Sequence, residues 1–359
     1  DKTQARDTMR KAGIPITPGS IGNVADLDEA LSIADDIGYP IMLKATSGGG
    51  GRGIRRCDNA DELRRNYDRV ISEAEKAFGN AEVFIEKYIA NPRHIEVQIL
   101  ADHHGNVVHL FERDCSIQRR HQKLIEIAPS PQLSGEQRAL IGDLAVRAAE
   151  ATDYTNAGTV EFLMDSGDNF YFMEMNTRLQ VEHPVTEEIT GVDIVQEQIR
   201  IASGLKLSYS QDQIQSRGYA MEFRINAEDP KNDFLPSFGR ITRYLAPGGP
   251  GVRTDGAIYT GYEIPPYYDS MCAKLIVWSL TWDGLIDRAG RALRDIGVFG
   301  VKTTIPYHLE ILRNADFQAG KFDTSFVDTH PELTHYSVHR SNRDLAAAIA
   351  ASLAANMGL

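Results

Sequence analysis

The sequence predicts a mixed α/β (α+β) fold, and three observations carry that prediction. Two apolar, β-prone runs flank Ser166-Gly167-Asp168-Asn169, a hairpin pattern in which Gly and Asn tolerate the positive φ of a tight turn. A short apolar run over residues 39–44 leads directly into a glycine-rich segment, with a second β-prone run from Ile54. Helical periodicity alternates with strand patterns to about residue 206. From Ile214 onward, short strands with many glycines and prolines take over, which places a subdomain boundary near residue 207.

In order, residues 3–12 read as a helix stopped by Gly13, with Pro15 and Pro18 preventing continuation. A second helix runs from the N-cap Asp26 to Ile37 and ends at Gly38. The next run, 39–44, is a strand, followed by Ala-Thr-Ser and the glycines Gly48, Gly49, Gly50 and Gly51 before Arg52. Ile54–Arg56 resume a strand, so the glycines form a hairpin-like loop and no helix opens directly after them. This is neither a P-loop nor a dinucleotide fingerprint. Consecutive glycines nonetheless let backbone N–H groups turn toward an anion, and Lys44 adds a point charge, so the segment reads as a phosphate-covering loop. A flexible linker would share the glycines but not the placement between two strands.

Residues 59–78 are helical and stop at Gly79, and 83–89 form a strand. Residues 94–101 and 107–113 form a hairpin about Gly105, with Glu96 facing Arg113 as a register-fixing pair. A polar stretch over 114–123 gathers Gln118, Arg119, Arg120, His121 and Lys123, a cluster suited to an anion, although an exposed loop would look alike. Ser134 and Gln137 form a capping-box pattern for a helix of roughly twenty residues. His183-Pro184 start a helix interrupted at Gly191, and 193–202 continue helical. Strands are expected at 220–226, 239–245, 252–255 and 274–279, helices at 283–294 and 306–313, and an Ala-rich terminal helix over 345–355.

In the hairpin from Asn156 to Asn176, placing Gly167 and Asp168 at the tip sets Asp165 against Phe170 and Glu161 against Glu174. Paired β-carbons lie ~5 Å apart, and at an effective dielectric near 20 two bare carboxylates at that spacing repel by roughly 3 kcal/mol. The pair therefore calls for a shared proton or a cation, unless both are ordinary surface glutamates. Asn176 returns to the same face, and two carboxylates with an amide oxygen suit Mg²⁺.

The net charge of −12 argues against general nucleic-acid binding, and Arg64-Arg65 and Arg119-Arg120 are too short to form a patch. Three widely spaced cysteines, Cys57, Cys115 and Cys272, with no Cys-x-x-Cys, indicate a reduced, cytoplasmic setting. There is neither an 18-residue apolar run nor a signal peptide, so no membrane segment is expected. The length suggests two or three domains, and a start at Asp1 without Met suggests a processed chain or fragment.

By Arg178-Leu-Gln-Val-Glu-His-Pro184 the sequence closely resembles the biotin carboxylase component of biotin-dependent carboxylases, an ATP-grasp family. The resemblance covers nearly everything to about Phe326. It includes Lys44 to Gly53, Glu86-Lys-Tyr88, Asn91-Pro-Arg-His94, Glu112-Arg-Asp-Cys-Ser116, Gln118 to Lys123, Phe172-Met-Glu-Met-Asn176, Arg224-Ile-Asn-Ala-Glu-Asp-Pro230 and Pro265-Pro-Tyr-Tyr-Asp-Ser270. It implies an ATP-grasp fold with a glycine-rich lid subdomain and a biotin carboxylase C-terminal subdomain. Residues 1–88 would begin the ATP-grasp region, 89–206 form its catalytic half, 207–330 the C-terminal subdomain and 331–359 a tail.

The implied chemistry is phosphorylation of bicarbonate by ATP to carboxyphosphate, then delivery of CO₂ to biotin on a carrier protein. Lys2 and Lys44 would hold ATP phosphates beneath the Gly48–Gly51 lid. Glu86, Lys87, Tyr88 and Ile89 would line the adenine site, with His94, Gln118 and His121 near the nucleotide. Glu161, Glu174 and Asn176 would hold Mg²⁺ or Mn²⁺. Lys123, Arg178, Gln180 and Val181 would position bicarbonate. Glu182, biased toward its ionised form by Arg178, would deprotonate it, and Arg224 would stabilise the biotin enolate.

Implied partners are a biotin carboxyl carrier protein or domain, a carboxyltransferase, and a second copy in a homodimer. The tail resembles the stand-alone biotin carboxylase polypeptides of pyruvate carboxylases more than the acetyl-CoA type. The family normally has a further α/β domain before the position of Asp1, so the expectation for this chain alone is weak or no activity. Two alternatives share the glycine loop and paired glutamates: another ATP-grasp ligase joining a carboxylate to an amine, and a non-catalytic nucleotide-binding scaffold. The 178–184 segment and Arg224 argue for biotin.

Overall fold

The computed structural model describes residues 2–46, 53–79, 81–336 and 342–357. Helix α1 (Lys2–Lys11) leads into α2 (Leu27–Ile37), β1 (Ile41–Ala45), β2 (Ile54–Cys57), α3 (Ala60–Phe78) and β3 (Val83–Lys87). The three strands form an antiparallel sheet in the order β2-β1-β3. Both α2 and α3 start where the sequence offers a cap. Asp26 accepts the N–H of Glu29, and Asn59 accepts that of Glu62, each contributing about 1 kcal/mol. Ala30, Ala34, Leu63 and Val70 pack against Ile41, Leu43 and Ile85 and close this small layer. Gly19 lies so close to β3 that a Cβ there would stand 2.1 Å from the carbonyl oxygen of Ile85. Only a glycine lets the loop before α2 bridge to Glu86.

The larger sheet contains β4 (Arg93–Ala101), β5 (Val107–Arg119), β6 (Gln122–Ala128), β7 (Asn156–Met164), β8 (Phe170–Asn176), β9 (Tyr219–Asn226), β10 (Val252–Gly256) and β11 (Met271–Ser279). All neighbours are antiparallel, in the order β10-β11-β9-β6-β5-β4-β7-β8. The sheet runs unbroken across residue 207. Helix α4 (Gly135–Glu150), sixteen residues rather than about twenty, starts with the Ser134/Gln137 capping box and packs on β4 and β5.

Alternation along β6, β9 and β11 divides their two faces. Ile125, Ile127, Met221, Phe223, Ile225, Leu275 and Val277 form hydrocarbon core under α7 (Trp282–Asp295) and α8 (Ile305–Arg313). The opposite face carries Ala128, Ala220 and Ile276 under Val185 and Ile189 of α5 (His183–Thr190). Farther along this face come Glu126, Glu222, Arg224 and Lys274. Helix α6 (Ile194–Ala202) begins at the N-cap Asp193.

Two local expectations are corrected, and one open alternative is decided. Met164, not Asp165, pairs with Phe170, because Asp165 and Asn169 close the turn. A register shift between Glu161 and Phe162 then restores Glu161 opposite Glu174, so the expected pair forms by a different route. Over 114–123, where an exposed loop was the open alternative, β5 continues to Arg119 and turns through Arg120 and His121, at φ 49° and 65°, into β6. The strand expected over 239–245 is split into Gly239–Arg240 and Arg243–Leu245, each paired elsewhere. Among the described residues no helix is long and apolar enough to cross a membrane. Cys57, Cys115 and Cys272 are buried and free.

Candidate active site

One transverse row of the large sheet organises the site. Glu174 of β8 stands opposite Glu161 of β7, Glu161 opposite Glu96 of β4, and Glu96 opposite Arg113 of β5. Three acids in a row on adjacent strands repel one another unless cations intervene. Lys123, from the start of β6, supplies one. Its Nζ donates to Glu182 at 2.5 Å, to Glu161 at 3.2 Å and to Glu96. Burial by itself disfavours the charge on Lys123, but the carboxylates Glu96, Glu182 and Glu161 outweigh it and hold the ammonium well above its ordinary range.

Arg113 supplies the other cation and is fully buried. Its five N–H donors are all used: Nε to Glu96 at 2.6 Å, Nη1 to Gln98 and Thr186, Nη2 to Thr159 and Gln180. The Glu96–Arg113 pair therefore does more than fix register, since Arg113 also orients Gln180. Replacing Arg113 with Met should destabilise the protein by roughly 3–5 kcal/mol, because Glu96 keeps its burial and loses one of its two cations. Urea unfolding at neutral pH measures this.

Glu161 is 4% exposed. His94 Nε2 lies 2.9 Å from its Oε2, while Asn176 and Gln180 donate to its Oε1 at 2.9 and 2.8 Å. Burial works to raise its pKa, but His94, Lys123 and Gln180 win and hold the carboxyl well below the usual range. A permanently ionised Glu161 opposite Glu174 fits a hard divalent cation. The Asn176 amide, turned by half a rotation, would present its oxygen to the same place.

Glu182, 2% exposed, is clamped between two cations: Oε1 accepts from Lys123 and Oε2 from Arg224 Nη2 at 3.1 Å. Its expected neighbour Arg178 is instead exposed and donates to the carbonyl of Leu179. The Val181 carbonyl accepts from Lys274 Nζ at 2.7 Å, which ties the loop before α5 to β11. Arg224 also donates through Nε to Glu126 at 2.6 Å.

Of the residues expected to bind nucleotide, Lys44, Glu86 and Lys87 lie on the small sheet. The Glu86 carboxylate accepts from both Lys44 and Arg6, and Arg6 also donates to the Thr17 carbonyl. Lys87 turns away, donating to the carbonyls of Gly38 and Tyr39 at the end of α2. Tyr88 lies under the Arg56 guanidinium at 4.4 Å, and Ile89 is half-buried beside it. Gln118 is buried opposite Lys123, while His121 sits exposed at the β5–β6 turn. The Lys2 side chain and Gly48–Gly51 lie outside the described residues.

Sequence reasoning did not single out Arg6, Glu126, Glu222 or Lys274, and it gave Glu96 and Arg113 only a structural role. A buried-strand position occupied by Glu, as in Leu124-Ile125-Glu126-Ile127, was the available signal. His308 is another buried polar group, with Nε2 2.9 Å from the carbonyl oxygen of Arg224 and Nδ1 unpartnered. Burial lowers its pKa to about 4. An unfolded chain binds that proton near pH 6.5, so this stability is complete above pH 6.5 and is lost as pH falls through 4. The loss should total about 3 kcal/mol. Unfolding midpoints measured from pH 7 to 4 should fall less steeply in His308→Gln.

Residues 1–210 match the family described as carbamoyl-phosphate synthase L chain, ATP binding domain, and residues 222–329 match the biotin carboxylase C-terminal domain. The 2-oxoglutarate carboxylase small subunit of Hydrogenobacter thermophilus is 55% identical over 359 residues, covering 100% of this chain and 76% of that protein. A pyruvate carboxylase subunit of Methanothermobacter thermautotrophicus is 56% identical over 330 residues, 92% of this chain and 67% of that protein. The crystal structure of the H. thermophilus 2-oxoglutarate carboxylase biotin carboxylase domain dimer, in complex with MgADP, ADP and bicarbonate, superposes with a TM-score of 0.89 at 56% identity. It is matched over 94% of this chain and 74% of its own. The chain thus spans about three quarters of the length of that structure. With these matches and this fold, the chain belongs to the biotin carboxylase family, ATP-dependent ligases that join an ATP-grasp domain to a biotin carboxylase C-terminal domain.

Proposed function

We propose that this chain carries the catalytic residues for the first half-reaction of a biotin-dependent carboxylase whose final acceptor is a 2-oxo acid. The observation that carries the reading is Glu182, a buried carboxylate held between Lys123 and Arg224, with Lys123 joining it to Glu161 and Glu96 of the acidic row. Glu182 takes the proton of bicarbonate as its oxygen attacks the γ-phosphate of ATP, while Lys123 stays charged and holds the resulting anion. Gln180 and the Val181 backbone shape the bicarbonate pocket, with Arg178 closing on it from outside. Arg224 faces biotin and stabilises its enolate oxygen when CO₂ is released from carboxyphosphate. Lys44 moves from Glu86 to the ATP phosphates when nucleotide arrives. A divalent ion held by Glu161, Glu174 and Asn176 would neutralise phosphate charge.

Support for a 2-oxo acid comes from the tail. The match to the 2-oxoglutarate carboxylase small subunit takes in all 359 residues, 331–359 included, whereas those to the Methanothermobacter pyruvate carboxylase subunit and the Nostoc biotin carboxylase take in 330 and 327, so among 2-oxo acids the tail favours 2-oxoglutarate. The carrier is a biotinylated protein or domain, the acceptor step belongs to a carboxyltransferase partner, and the working form is a homodimer. Release of phosphate from ATP should require both bicarbonate and biotin. With the biotinylated partner present, labelled bicarbonate should pass to pyruvate or 2-oxoglutarate in preference to acetyl-CoA; transfer to acetyl-CoA alone would sink the 2-oxo acid assignment. Glu174→Gln should lower ATP cleavage by about 10²-fold or more and raise the Mg²⁺ concentration needed for half-maximal rate.

A further inference from the structure

Behind Arg224 lies an unusual pair that the reaction described above does not use. Glu126 of β6 and Glu222 of β9 are both fully buried and stand directly opposite each other on paired strands. Three of their four carboxylate oxygens, Glu126 Oε2 and both oxygens of Glu222, have no hydrogen-bond partner. The fourth, Glu126 Oε1, accepts from Arg224 Nε at 2.6 Å.

Two ionised carboxylates in this position would be opposed by burial and by each other. The surrounding charges do not relieve both. Arg224 is divided between Glu126 and Glu182. Lys274 Nζ approaches Glu222 only to 4.0 Å and Asp255 to 3.8 Å, and donates instead to the Val181 carbonyl. Lys123 is occupied by Glu96, Glu161 and Glu182. Helix α5 presents Val185 and Ile189 to this face. His183 at its start is turned to its own loop, with Nδ1 2.7 Å from the Gln180 carbonyl oxygen, rather than to the pair.

We propose that Glu126 and Glu222 keep one proton between them, carried by Glu222, and that ionised Glu126 is the positioning residue that aims the Arg224 guanidinium at Glu182 and the biotin site. One proton resolves the orphaned oxygens, since a Glu222 hydroxyl can donate across the strands to Glu126 Oε2. It resides on Glu222 because Glu126 already has the charge-assisted bond from Arg224. Burial also pushes Glu222 well above the usual carboxylate range. The positioning role rests on the functional reading above; the retained proton does not.

The test uses the intact carboxylase subunit. At about pH 8, where an ordinary glutamate is ionised, the infrared spectrum of the wild type should contain a carboxylic-acid C=O band that shifts in D₂O and is missing from Glu222→Gln. Absence of the band in the wild type overturns the shared proton, and its loss only in Glu126→Gln overturns the assignment to Glu222. A group with a raised folded-state pKa costs stability above its unfolded pKa, so Glu222→Gln should melt higher than the wild type at pH 8. That gap should close toward about pH 4.

Glu126→Gln should lower biotin-dependent ATP cleavage at least about tenfold with the KM for ATP unchanged. The acid limb of its rate profile should move to lower pH, because Arg224 then leans on Glu182 alone. An unchanged rate and profile, or a loss tracking the melting temperature alone, overturns the positioning role. If Glu126→Gln does not fold, Glu126→Asp, whose shorter side chain retracts from Nε, should show the rate loss without the shift in profile, and an unchanged rate there overturns the role equally. Wild-type protein with the infrared band but no biotin-dependent ATP cleavage would remove the functional reading and leave the proton pair standing.

Discussion

Replacing Lys123 with Met should abolish bicarbonate-dependent ATP cleavage, lowering it by about 10³-fold or more. The side chain lies at the one point where Glu96, Glu161 and Glu182 converge. Met keeps the length and removes the charge, so the three acids lose the cation between them. Two consequences follow, and they can be separated. The fold loses roughly 3–5 kcal/mol, as expected when one partner of a buried ionic cluster is removed. The chemistry loses the fixed positive charge that holds an anion beside Glu182. A Glu96→Gln background distinguishes them. Neutralising Glu96 removes one uncompensated acid and should return part of the stability, measured by urea unfolding, while the rate stays low. Recovery of rate along with stability would show that Lys123 acts only by holding the sheet together.

Glu182→Gln should have the second-largest effect, a fall of about 10²–10⁴-fold in bicarbonate-dependent ATP cleavage. Gln keeps the shape and one oxygen to accept from Lys123 or Arg224, so the loop before α5 stays in place, tethered by the bond from Lys274 to the Val181 carbonyl. What it loses is a site for the proton. ATP affinity should therefore be unchanged, because Lys44 and Glu86 lie on the other sheet. The contrast between intact nucleotide binding and lost turnover is the signature of a base. A variant that binds ATP and turns over normally would exclude Glu182 from proton transfer. Arg178, exposed and bonded to the Leu179 carbonyl, cannot substitute for the two cations that the structure places on Glu182.

Much of the fold was legible because its signals are local. Asp26, Asn59 and Ser134 announce their helices through side chains that cap within three residues. Glu161–Glu174 and Glu96–Arg113 could each be paired by counting outward from a turn. Even so, the count about Gly167 gave the right acids through compensating errors, since pairing beside the turn is displaced by one residue and the register shift beside Glu161 makes up the difference. The stretch 114–123 left a loop open as an alternative for a local reason. Its polar residues mimic a loop, yet Ser116 and Gln118 are buried in β5, where the Ser116 hydroxyl donates to Asp114 and accepts from the His94 N–H.

By itself, then, the sequence determined the helices, the two hairpins and the residue types that phosphate, metal and bicarbonate chemistry require. Only the tertiary structure decided how the hairpins meet. Pairing of β4 with β7 sets Glu96 against Glu161 and joins two separate pairs into one row. Pairing of β6 with β9 sets Glu126 against Glu222, nearly a hundred residues apart, and brings Arg224 to Glu182. A turn dictates register only for the strands it connects. Strands far apart in sequence are aligned by burial of their other face, here Ile125, Ile127, Met221 and Phe223 beneath α7 and α8, and the charged face follows from that hydrocarbon packing.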